Sequence, residues 1–113
     1  GVDLVHGHSA HNVQGIERYE GGVICHDTGD FVDDYRVDRE LRNDRGFLFE
    51  VVVTAAGAVE GVRLRPIQIA DCRVQPADED AAAWCRETMR ERSSRFGTGD
   101  AFERSGAGLW LPV

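Results

Sequence analysis

Three of the chain's four histidines fall within six positions, His6-Gly7-His8-Ser9-Ala10-His11, and Gln14 follows closely. Imidazole is the commonest nitrogen donor to divalent transition metals, and a metal site needs several donors converging on one point. Glycine between the donors lets the backbone turn tightly enough for that. In extended geometry residues two apart share a face, so His6 and His8 can converge, while His11 must return through a turn at Ser9-Ala10. Downstream, Asp27, Asp30, Asp33 and Asp34 are candidate carboxylate ligands or supports for the imidazoles. The same spacing also suits a polar loop whose histidines act as caps and hydrogen-bonding groups, and spacing alone does not choose between the two.

The elements that must position this loop are legible in part. Val2 to His6 is short, β-prone and followed by Gly7, which predicts a buried strand ending in the loop. A second short strand is expected at Gly22 to His26, after the turn signal Glu20-Gly21-Gly22. Asp27 to Arg45 is dense in both charge signs and reads as a long surface loop. Gly46 to Thr54, GFLFEVVVT, is the clearest strand, and its near-continuous apolarity predicts burial on both faces. Ala55-Ala56-Gly57-Ala58 turns it into an antiparallel partner over Val59 to Ala70. There the apolar residues switch parity, from Val62 and Leu64 to Ile67 and Ile69, which predicts a β-bulge at Pro66.

A helix is expected from about Asp78 to Phe96. Asp78, Glu79 and Asp80 at its start and Arg90, Arg92 and Arg95 near its end complement the macrodipole, and Gly97 stops it. Trp84, Cys85, Thr88 and Met89 form its packing stripe. Ala107 to Val113 supplies a last short strand.

At 113 residues, 42% hydrophobic and 29% charged, the chain has the length and composition of one globular domain. Thirteen basic and twenty acidic residues give a net charge of −7, which argues against nucleic acid or an anionic membrane as partner. No apolar run is long enough to span a bilayer, and the first residues lack the basic start and apolar stretch of a signal peptide. Cys25, Cys72 and Cys85 are odd in number and far apart, so they are expected to be buried, reduced thiols.

Gly7-His8-Ser9-Ala10-His11-Asn12-Val13-Gln14 resembles the GHxxHxxQ signature of the capsule synthesis protein CapA family, also called the poly-gamma-glutamate biosynthesis family. That family looks like a branch of the calcineurin-like metallophosphoesterases, in which this signature takes the place of a GHxH metal-ligand motif. GVICHDTGDFVDD, from Gly22 to Asp34, is similar to the family's GxxxxYSLGNFVFD segment, and Pro66 to Ala77 is similar to its strand running into a Gln-Pro-Ala turn. The segment departs from the pattern at Asp30, where Asn is usual, and at His26-Asp27-Thr28 in place of Tyr-Ser-Leu.

The resemblance implies an α/β (α+β) architecture, the C-terminal half of a layered αββα metallophosphoesterase-like sandwich, with mostly antiparallel strands and one C-terminal helix. It makes His8 and His11 the metal ligands and catalytic residues, with His6 an accessory ligand or phosphate-side donor. Gln14, Asp30 and His26 stand behind the ligands or on the substrate side. The cofactor implied is a divalent ion (manganese, zinc or iron). The superfamily's early Asp, Gly-Asp and Asn-His segments are absent, so residues 1–113 are expected to be a partial domain, inactive alone and completed by an N-terminal half of the same domain or by another chain. The intact protein would be bacterial or archaeal, cytoplasmic or anchored outside a membrane.

Two other readings remain open. In one, the fold is a non-catalytic module that assists or binds a polyanionic polymer or assembly, with Arg63, Arg65 and Arg73 as the contact surface. In the other, exposed sheet surface and open edges make the chain stable only as a homo-oligomer.

Overall fold

The structure, a computed structural model, describes residues 1–33 and 36–113. Among the described residues, eight strands form two sheets. β1 (Leu4–His6), β2 (Ile16–Tyr19) and β3 (Gly22–Cys25) make a small sheet in the order β1-β3-β2, with β1 parallel and β2 antiparallel to β3. The larger sheet contains β4 (Arg45–Val53), β5 (Val59–Ala70), β6 (Arg73–Pro76), β7 (Glu103–Ser105) and β8 (Gly108–Pro112). Its path runs β4-β5-β8-β7. β5 carries β4 along one edge, and along the other it carries first β8 and then β6. The expected mixed architecture, mostly antiparallel strands with one helix, is what the chain adopts.

The helix α1 (Glu79–Ser94) begins where the acidic start predicted, because the Asp78 carboxylate caps it by accepting from the Ala81 N–H at 2.8 Å. Gly97 follows its end at φ +70°, a backbone state that costs an L side chain energy but costs glycine none. The buried face of α1 carries Ala81, Ala82, Cys85, Thr88 and Met89. Cys85 and Met89 meet Val13, Ile16, Val23 and Cys25 from the small-sheet side and Phe47, Val62, Leu64, Leu109 and Leu111 from the large sheet. One apolar core therefore ties both sheets to the helix.

Five expectations change. β2 had no clear signal, because only Ile16 of Ile16-Glu17-Arg18-Tyr19 is buried and the strand shows one apolar position to the core. β1 is exposed rather than buried, since it forms the edge of its sheet. β4 is half-covered: Phe47 is buried, but Leu48 and Val53 on the same run are exposed. Pairing with β4 continues unbroken through Pro66, and the register shift lies instead opposite Val52 and Val53, beside Glu60. Pro66 sits where the other edge of β5 changes partner from β8 to β6, a place where a residue without an N–H is tolerated. Finally, Cys72 is exposed, because Asp71 and Cys72, both at positive φ, form the two-residue turn between β5 and β6.

Candidate metal centre

The histidine loop leaves β1 at His6 and is bound at once to the segment after β3. The Gly7 N–H donates to the Cys25 carbonyl at 2.8 Å, and Thr28 N–H donates back to the Gly7 carbonyl at 3.3 Å. Gly7 is required here, because a Cβ would lie 2.0 Å from the His26 carbonyl oxygen. Further on, Gln14 N–H donates to the Asp27 carbonyl at 2.9 Å, and Val13 bridges Thr28. Residues 7–14 and 25–30 thus form one zipped pair of loops.

Asp27 braces that pair. Its carboxylate is buried and accepts from the Ala10 N–H at 2.7 Å and from the Gly29 N–H at 2.8 Å. Those bonds satisfy two backbone donors of the loop pair. Asp27 thereby has a structural part in the loop pair.

The imidazoles take separate partners. β1 ends at His6, so the extended geometry that would align His6 with His8 does not continue. His6 Nε2 lies 3.1 Å from Thr28 Oγ1, and His8 Nδ1 lies 2.6 Å from Ser9 Oγ. His11 Nδ1 lies 2.9 Å from Asp30 Oδ1. His11, Asp30 and Asp33 each offer a ligand atom, and these atoms all lie within 4.8 Å of one another. His6 and His8 join no group of three such donors among the described residues. Asp34, a further carboxylate candidate, lies outside the described residues.

Asp30 is the electrostatic centre of the group. Its side chain is only 14% exposed, against 57% for His11. Burial pushes its carboxyl above the usual carboxylate range, and the Asp33 carboxyl beside it pushes the same way, with His11 opposing. Asp30 Oδ2 is buried and, among the described residues, is given no hydrogen-bond donor. Two carboxyls facing each other with one oxygen lacking a donor need a shared proton or a cation, and an imidazole with two carboxylates is a donor set that suits manganese, zinc or iron. The residues present therefore fit a divalent ion.

The remaining candidates support the loop. Gln14 donates through Nε2 to Asn12 Oδ1 at 2.6 Å, so it positions backbone. His26 stacks on Phe96 with ring centroids 4.3 Å apart, and its Nε2 lies 3.0 Å from Glu17 Oε2. It fastens β2 and the end of α1 together. The arginines proposed as a polymer-binding surface have internal contacts: Arg63 lies over the Trp110 ring at 5.6 Å, and Arg65 pairs with Glu50 at 2.6 Å, while Arg73 is exposed on β6.

Asn12, Arg92 and Ser93 were assigned no part in the site from the sequence, where Arg92 reads only as a charge complementing the helix macrodipole. Asn12 is buried, and Arg92 donates through Nη1 to both Asn12 Oδ1 and the Val13 carbonyl. Ser93 Oγ accepts from the Ile16 N–H at 3.0 Å. Nothing in the local sequence signals these links, which join positions 77 to 80 residues apart.

Residues 1–35 match the family model of the bacterial capsule synthesis protein PGA_cap. Two Mycobacterium tuberculosis proteins, from the CDC 1551 / Oshkosh and H37Rv strains, are each named a probable polyglutamine synthesis accessory protein and are 35% identical to this chain over 101 residues. The alignment covers 86% of this chain and 27% of each relative, so the chain spans about a quarter of the length of the curated relatives it matches. The matched segment holds the zipped loops with His8, His11 and Asp30, and the family model and the two relatives together support a capsule or poly-glutamate synthesis, CapA-like domain.

Proposed function

We propose that the chain contributes a divalent-metal site of phosphoesterase type to a protein that serves capsule or poly-gamma-glutamate synthesis. His11, Asp30 and Asp33 would hold the ion, with His8 and His6 on the same loop as the further imidazole donors. The observation that carries this reading is the convergence of one imidazole and two carboxyls within 4.8 Å. A divalent ion at such a place lowers the pKa of a bound water and stabilises charge on an ester oxygen.

The chain's own residues have distinct parts in this reading. Asp30 Oδ1, 2.9 Å from His11 Nδ1, brings the carboxylate and the imidazole to one point. Asp27 keeps the loop closed against β3. His8, exposed beside Ser9, is placed to hold a phosphoryl oxygen or to give a proton to a leaving group. Hydrolytic metal sites generally take several protein ligands and an open position for water. We therefore expect turnover to require donors from outside these residues.

Metal titration tests the reading. Metal-free protein titrated with manganese(II) in a calorimeter should bind one ion, and His11→Ala or Asp30→Asn should each weaken that binding by about tenfold or more. Unchanged affinity in both variants would refute the ligand assignment. Loss in His8→Ala as well would extend the ligand set along the loop. Phosphodiester hydrolysis by the 113 residues alone would overturn the expectation that further donors are needed.

A further inference from the structure

His11 holds its place in a conformation that L residues avoid. Its φ is +59°, and Ser9, two positions earlier, has φ +87°. Such a conformation costs an L residue energy and persists only when its surroundings over-determine it. The zipped loop on one side supplies part of that restraint. The rest comes from the last turn of α1.

Asn12 is the hub. Its buried side chain donates through Nδ2 to the Ala10 carbonyl at 2.8 Å, and its Oδ1 accepts from Gln14 Nε2 at 2.6 Å and from Arg92 Nη1 at 3.1 Å. The same Arg92 nitrogen donates to the Val13 carbonyl. One guanidinium nitrogen from the helix therefore holds the side chain of the residue after His11 and the backbone of the next. Immediately beyond, Gly15 lies so close to the Arg92 carbonyl that a Cβ would sit 2.4 Å from its oxygen, and Ile16 N–H is held by Ser93. Residues 12–16 are laid against the end of α1 as against a template.

Both of these Arg92 acceptors are neutral oxygens. Burial lowers its pKa, yet it remains charged at neutral pH, because arginine does not deprotonate in proteins. Charge-assisted donors are about twice as strong as neutral ones, and the fork geometry of a guanidinium fixes direction as well as distance.

We propose that Arg92 is the positioning residue of the candidate metal centre: through Asn12 and Val13 it holds His11 in the left-handed conformation that places its ring against Asp30. The part of this inference that concerns the metal rests on the reading given under the proposed function. The part that concerns the His11 ring does not.

The experiment separates the two. In metal-free protein, long-range nitrogen–proton NMR spectra of the histidine rings report whether His11 Nδ1 is hydrogen-bonded. Arg92→Met should lose that signature, Arg92→Lys should restore it in part, and Arg86→Met should leave it intact, since Arg86 donates elsewhere, to the Ala107 carbonyl. Manganese(II) affinity should fall about tenfold in Arg92→Met and by less in Arg92→Lys. If Arg92→Met lowers the melting temperature but changes neither the His11 signature nor the affinity, Arg92 is only structural and the proposal is overturned. If Arg92→Met does not fold, Arg92→Lys against the wild type decides in the same way. A His11 signature that depends on Arg92 in a protein that binds no manganese supports the positioning role and refutes the metal reading.

Discussion

In the large sheet, β5 runs for 12 residues with a partner along each edge, and α1 seals it with Cys85 and Met89. In the small sheet the strands have only three or four residues, and polar side chains do much of the holding. Asp27, Asn12, Arg92 and Ser93 are each bonded to backbone there. Apolar packing is non-directional and scales with buried area, whereas hydrogen bonds fix angles and are costly when broken inside. The large sheet is thus built for stability and the small one for geometry, and the end of α1 is where the second draws on the first.

The sharpest way to break this comparison is to damage the large-sheet side alone. Leu109→Ala empties a fully buried position on β8 and should cost about 2–5 kcal/mol in urea unfolding, with manganese(II) affinity of the folded protein unchanged. An equal loss of affinity would show that the two regions are not separable. Ser93→Ala probes the junction. It strips the acceptor from the buried Ile16 N–H, at about 1–3 kcal/mol, and should speed amide exchange across β2 more than across β5.

The smallest effect has the opposite sign and comes from the loop itself. The Asp30 carboxyl is raised in the folded protein by burial and by Asp33. As pH rises above the ordinary carboxylate range, the unfolded chain releases this proton first, so folded stability falls through the window up to the raised value and stays lower beyond it. Asp30→Asn removes that slope. The metal-free variant should melt higher than the wild type at neutral pH and converge with it in acid, while losing metal affinity. A variant that melts lower at neutral pH would mean that the His11 contact outweighs the carboxyl repulsion.

Local chemistry made most of the large-sheet side readable. Asp78 and Gly97 marked the helix, and the alanine-glycine turn at 55–58 marked the hairpin, because caps and turns act through neighbours in sequence. Parity misled at Pro66, since Ile67 is buried for reasons of tertiary packing while the ladder runs on. The small sheet was harder. The position of β2 depends on Ser93 and Phe96, and the pairing of His11 with Asp30 spans 19 positions. Motif resemblance marked His11 but gave no reason to prefer Asp30 over His8 as its neighbour, because that choice is made by the left-handed backbone at His11 and by the helix behind it.

The three thiols divide as unequally as the sheets. Burial pushes Cys25 up to about 11 and Cys85 up to about 12, so neither supplies thiolate at neutral pH. Cys72 stands exposed at a hairpin tip. Of the thiols in these 113 residues only Cys72 is exposed, so in an oxidising medium a disulfide between two folded copies would form there and not at Cys25 or Cys85.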